Sequence, residues 1–116
     1  MKRKREFIDY VDDILDSINK IEKFIAAQTY EDFAIDDKTQ FAVIRALEII
    51  GEASKKVPDS VRQEFSTVPW RLMAGMRDKL IHVYFGVDTE VVWKTATIDI
   101  QDIKCSIQKL RSKYQG

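Results

Sequence analysis

Cysteine, histidine, glycine and proline are all scarce in this chain, and each shortage removes a class of protein. One cysteine in 116 residues leaves no internal disulfide framework and no Cys-x-x-Cys redox or metal motif. One histidine excludes a His-Glu-x-x-His metal site, and any mechanism that takes two histidines from a single chain. Four glycines and two prolines are too few for a many-turned β-sandwich or a glycine-rich phosphate loop. Charge excess is missing too: 19 basic and 19 acidic side chains cancel, which argues against a dedicated non-specific DNA binder. No run approaches the ~20 apolar residues of a membrane span. The basic opening, Met1 to Arg5, leads into a segment interrupted by Asp9, Asp12 and Asp13, not into the apolar region of a signal peptide. A single domain over residues 1–116, soluble and cytoplasmic, with no metal and no cofactor, is the expectation.

What the chain does have is helical periodicity over most of its length. Phe7, Val11, Ile14, Ile18, Ile21 and Ile25 recur at steps of three and four, the stripe of a long first helix ending near Ala27-Gln28. The period is lost over Thr29 to Phe33. Asp36-Asp37 then caps a second helix from about Lys38 to Lys56, with Gln40 completing a capping box and Phe41, Ile44, Leu47 and Ile50 inward. Gly51 inside that helix costs ~1 kcal/mol relative to alanine and suits close packing better than chemistry. After Pro58, residues Ser60 to Phe65 suit one short helical turn. Pro69 opens a third helix carrying Trp70, Met73, Met76 and Leu80, and Gly86 stops it. Asp88 caps a fourth, striped by Val92, Ala96, Ile100, Ile103, Ile107 and Leu110. The fold class is all-α: an up-and-down bundle of four main helices plus short helical turns.

The densest polar cluster is Arg77-Asp78-Lys79-Leu80-Ile81-His82-Val83-Tyr84. A histidine is an acid–base group near neutrality, an arginine fork matches phosphate, and a tyrosine hydroxyl can move a proton or accept a modification. On an ideal helix His82 is turned about 140° from Arg77, whereas Asp78 and His82 are neighbours one turn apart and Arg77 shares a stripe with Tyr84. Such a band is not a compact pocket, and a second chain would help to close it. Spacing alone equally suits a histidine that satisfies the last carbonyls of a helix beside a solvated Arg–Asp–Lys face. Elsewhere, Lys2 to Arg5 suits a nucleic-acid arm or a solvated terminus. Trp70 and Trp93 suit base stacking, or core and dimer packing. Cys105 reads as a small buried residue, and the Glu48/Glu52 pair as a contact with a neighbouring helix or subunit.

Arg77-x4-His82-x-Tyr84 resembles the signature of the HEPN superfamily, the higher eukaryote and prokaryote nucleotide-binding domains. The blocks Arg45 to Ala53, Pro69 to Asp78, His82 to Asp88 and Val92-Trp93 are similar to its HepT-like branch, and the likeness runs from the first helix to Leu110. This resemblance implies a HEPN-like bundle and a metal-independent endoribonuclease, the toxin of a toxin–antitoxin pair. It further implies a homodimer in which two Arg-x4-His motifs meet across one cleft, within a larger hetero-oligomer where an antitoxin joins. Arg77, Asp78 and His82 match the family's catalytic positions. Tyr84 matches the tyrosine adenylylated by the partner, a minimal nucleotidyltransferase antitoxin, while Arg71 and Lys79 add basic character for RNA binding. A dimer also suits the chemistry. Cleavage through the RNA 2′-OH needs one group to take a proton, another to return one, and positive charge at the phosphorus, and one histidine supplies half of that. The competing classes are a non-catalytic nucleotide- or partner-binding helical dimer module and a purely structural dimerisation domain. A nucleotidyltransferase gene next door would separate the toxin from both.

Overall fold

The computed structural model describes residues 5–76 and 88–114. Among these there are helices and no strands, so the all-α class holds. Helix α1 (Phe7–Ile25) opens with a capping box in which Glu6 and Asp9 satisfy each other's backbone N–H groups. Its stripe of Val11, Ile14, Ile18 and Ile21 is fully buried. Helix α3 (Asp37–Ser54) packs on one side of this stripe. Arg5, Tyr10 and Asp13, at the start of α1, lie beside Ile49, Glu52 and Lys56, at the end of α3, so the two run antiparallel.

Between them stands an element that the sequence pattern does not reveal. Residues Tyr30–Ala34 form helix α2, one turn long, where the apolar period is lost. Its cause is local: Thr29 Oγ1 accepts from Asp32 N at 3.2 Å, and Asp32 returns the bond to Thr29 N at 3.0 Å. Phe33 is thereby driven into the core. The cap of α3 also differs from expectation. Asp36 alone is the cap, accepting from Thr39 N at 3.1 Å and Thr39 Oγ1 at 2.6 Å. Gln40 turns back to Phe33 O at 2.8 Å and so ties α3 to α2.

Phe41 corrects the expected inward face, being 58% exposed. The buried arc of α3 is Val43, Ile44, Ala46, Leu47, Ile50 and Ala53, with Ile44 at its edge. Three residues back from Ile44 is a further rotation of about 60°, which carries Phe41 out of the arc.

Pro58 precedes the short helix α4 (Asp59–Glu64), which begins one residue before the expected Ser60. Residues 70–76 form helix α5, opened by Met73 N donating to Pro69 O at 3.0 Å. Leu80 and the expected stop at Gly86 lie outside the described residues. Asp88 holds the N-terminal position of helix α6 (Thr89–Lys94) through its backbone, with its side chain making no capping bond among the described residues. A π-helical turn (Thr95–Asp99) then joins α6 to α7 (Ile100–Lys113). The sequence carries a reason for this turn. Val92, Ala96 and Ile100 are spaced by four, and two such steps drift about 80° around an α-helix. The wider turn, in which Ile100 N donates to Thr95 O, takes up part of that drift, and all three side chains are buried. Hydroxyls assist it: Thr95 Oγ1 donates to Val91 O and Thr97 Oγ1 to Trp93 O.

Helix α7 covers the other side of α1, again antiparallel. Arg111 near its end reaches Asp12 at 2.7 Å, and Lys104 and Gln101 near its start reach Glu22 at 2.8 and 3.1 Å. No helix among the described residues is long and apolar enough to cross a membrane.

Two measurements check this packing. Ile14→Ala should lower stability by about 2–5 kcal/mol, since it empties space in the shared core. Ile35→Ala, at a side chain 85% exposed, should stay within about 0.5 kcal/mol in the same urea titration.

Acid should act through the two carboxylates held below their ordinary range. Lys104, then Gln101, holds Glu22 down, and Thr39, then Gln28, holds Asp36 down. A carboxylate depressed in the folded state contributes stability that is complete above its unfolded value and lost as pH falls through the folded one. Melting temperature should therefore fall below about pH 4. Asp36→Ala should melt lower than wild type at pH 7, with the gap narrowing towards pH 2.

Candidate active site

The sequence-predicted site residues divide into two groups. Arg77, Asp78, Lys79, His82 and Tyr84 lie outside the described residues, and Arg71 lies within them. What the structure describes is the helices that precede and follow that stretch in sequence. On the preceding side, α5 is fixed to the core by Met73 and Met76, both buried, so the residue immediately before Arg77 is an anchored one. On the following side, Val92 is buried and Tyr30 and Thr89 share a hydroxyl hydrogen bond at 2.8 Å. The Trp93 ring lies 5.2 Å from Phe33 and 6.1 Å from Tyr30. Trp93 thus packs as core, the less exotic of its two expected roles.

Trp70 behaves differently. It is half-buried, and its indole N–H donates to Phe65 O at 3.0 Å, which holds the ring against the turn between α4 and α5. Beside it a groove of about 710 Å³ runs between α4 and α5, walled by Val68, Pro69, Trp70 and Leu72, with Arg62 and Arg71 among its polar residues. Arg62 is paired with Asp59 of its own helix. Arg71 is exposed and has no acceptor among the described residues. On the same helix, a side chain at Gly75 would meet nothing within 4 Å.

The other candidates fall away from this region. Arg5 is bound to Asp13 at 2.7 Å and sits 4.5 Å over the Tyr10 ring, so it belongs to the start of α1. Glu52 pairs within α3, 4.0 Å from Arg45. Cys105 is a correction, since it is exposed and not a small core residue. It lies between Ile103 and Ile107 in sequence but off the buried stripe of α7, beside Asp102 and Ser106 in a cavity of about 420 Å³ that reaches Pro69 and Leu72. The groove beside Trp70 is what residue-by-residue reading missed. Its signal was the pair of prolines, Pro58 and Pro69, which turn the chain twice within a dozen residues and set α4 against α5.

Comparison with known proteins bears on the same stretch of chain. The family described as "Ribonuclease HepT-like" matches residues 14–110. The chain is 56% identical to "Probable ribonuclease HepT" of Thermococcus cleftensis, over 93% of its own length and 98% of the relative's. It is 42% identical to "Putative RNase MJ1216" of Methanocaldococcus jannaschii, over 97% and 93% of the two lengths. A bacterial relative, "Putative RNase TTE0752" of Caldanaerobacter subterraneus, is 38% identical over 97% and 98%. No solved structure matches. The matched span runs from the buried stripe of α1 to the last buried leucine of α7 and takes in the whole Arg77-to-Tyr84 cluster, so the chain belongs to the HepT-like ribonuclease family.

Proposed function

We propose that this protein is the endoribonuclease toxin of a toxin–antitoxin pair, cutting RNA through its own 2′-OH in a cleft shared by two copies of the chain. The observation that carries this reading is the intact Arg77-x4-His82-x-Tyr84 sequence inside the span matched by the ribonuclease family. In this reading His82 of one protomer takes the proton of the 2′-hydroxyl, whose oxygen attacks the adjacent phosphorus. The bond to the 5′-oxygen breaks, and the second His82 returns a proton to that oxygen. Arg77 holds the phosphate and stabilises the extra negative charge at the transition state. Asp78, four residues before His82 in sequence, orients the imidazole. Lys79 and Arg71 add positive charge along the RNA path. The products are a 2′,3′-cyclic phosphate and a free 5′-hydroxyl, and the chemistry needs no metal.

The purified protein, eluting with the mass of two chains, should cut cellular RNA in EDTA and leave cyclic-phosphate ends. His82→Ala and Arg77→Ala should each lose on the order of 10²-fold or more in rate. Full activity in His82→Ala, or a strict requirement for Mg²⁺, overturns the assignment.

Control is assigned to Tyr84 and to a minimal nucleotidyltransferase antitoxin. The phenolic oxygen attacks the α-phosphorus of ATP, pyrophosphate leaves, and the phenolic proton passes to a base. The attached AMP brings a phosphodiester charge to the arginine that would hold RNA, and its adenosine fills the space of the strand. Co-incubation with the antitoxin and ATP should add AMP-sized mass to wild type and none to Tyr84→Phe. Equal neutralisation of Tyr84→Phe would falsify this route of control.

A further inference from the structure

We propose that the groove between α4 and α5 is a subsite for single-stranded RNA, with Arg71 taking a backbone phosphate and the Trp70–Leu72 wall taking a neighbouring base. This rests on the ribonuclease reading and adds to it the place where the strand is held beyond the catalytic cluster.

Three cavities were candidates for an extended anionic ligand, and chemistry separates them. The one on the α1/α3 face, of about 280 Å³, has its arginines Arg5 and Arg45 matched with Asp13 and Glu52 and its Tyr10 ring covered by Arg5, which leaves Lys56, a point charge without a planar fork. The one beside α7 presents Asp99 and Asp102, which repel phosphate. The α4/α5 groove alone combines a guanidinium without an acceptor among the described residues with an apolar and aromatic wall. Arg62 cannot play the same part, because Asp59 holds it. An arginine unpaired among the described residues, beside a half-buried indole, is the recognition set of a nucleotide: a fork for the phosphate and a flat apolar surface for the base. It does not suit a duplex, which is held by a row of phosphate contacts across its minor groove. A half-buried Trp70, fixed by its bond to Phe65 O, offers that surface without first having to be ordered.

Position supports the assignment. Ala74 lines the groove and stands three residues before Arg77 in sequence, a length of chain that spans at most about 11 Å. A strand whose phosphate is held at Arg77 therefore has a neighbouring nucleotide within reach of the groove.

The test uses the full-length protein and a single-stranded oligonucleotide with 2′-O-methyl sugars, which lacks the attacking hydroxyl and reports binding alone. Arg71→Ala should reduce the slope of log affinity against log salt by about 0.7, the share of one phosphate contact with a single strand. Lys56→Ala, a matched loss of charge on the α1/α3 face, should leave the slope unchanged. In a Trp93→Phe background Trp70 is the only tryptophan, and the oligonucleotide should quench its selectively excited emission. An unchanged slope in Arg71→Ala, or an unquenched Trp70, overturns the proposal. So does a change in solution mass of Arg71→Ala with RNA affinity intact, which would make the groove a protein contact. The two readings fail separately. Wild type that binds the oligonucleotide through Arg71 but cuts no RNA leaves the subsite standing without the nuclease, whereas cutting with an unchanged Arg71→Ala slope leaves the nuclease without the subsite.

Discussion

Two helices share one stripe of α1, and the rest of the molecule is arranged by that sharing. Val11, Ile14, Ile18 and Ile21 are fully buried because α3 and α7 both pack against α1, each antiparallel to it. Burying a branched aliphatic side chain contributes about 1.5–3 kcal/mol, so this stripe outweighs the polar contacts around it. The Arg111–Asp12 and Lys104–Glu22 pairs are partly exposed and worth at most about 1 kcal/mol each. Their effect is on register: with one pair near each end of α1, α7 is held against sliding. Since α7 is continuous through its π turn with α6, the hold on α1 also fixes the position of Asp88 and Thr89 at the start of α6. Met73 and Met76 fix α5 on the core. The described residues on either side of the Arg77-to-Tyr84 cluster in sequence are thus set by the same core.

Much of this architecture was legible in the sequence, and the failures have physical causes. The stripes of α1 and of the fourth helix read correctly because burial at steps of three and four is a strong signal. Helix α2 did not, because five residues carry no period, and its existence depends on a reciprocal Thr29–Asp32 cap and on Phe33 reaching the core. Phe41 was misread because hydrophobicity and spacing from Ile44 agreed, while the width of the buried arc, set by α1 and α2, could not be seen. Cys105 was misread from residue type alone: its neighbours Ile103 and Ile107 take the buried positions, and the position between them faces out.

The candidate site rests on a different kind of signal. Arg77, His82 and Tyr84 stand out by chemistry and by spacing, and the family match covers all three. The α4/α5 groove has no motif of its own in the sequence, only the indirect signal of the two prolines. Val68, Trp70 and Leu72 look like ordinary apolar residues until Pro58 and Pro69 have folded α4 back on α5. Motif residues are readable because their chemistry is local, whereas a binding surface exists only after packing.

The neutral composition gives that surface its weight. With 19 charges of each sign, the protein has no net charge with which to draw RNA from a distance. At physiological salt a surface charge is screened within about 8 Å, so capture depends on groups that touch the strand. Four of the five described arginines are already matched: Arg5 by Asp13, Arg45 by Glu52, Arg62 by Asp59 and Arg111 by Asp12. Each such pair gives RNA nothing to replace without first breaking it. Among the described residues Arg71 is therefore the arginine whose planar fork has no carboxylate to leave, and the other unpaired cations are lysines, which offer a phosphate only a point charge.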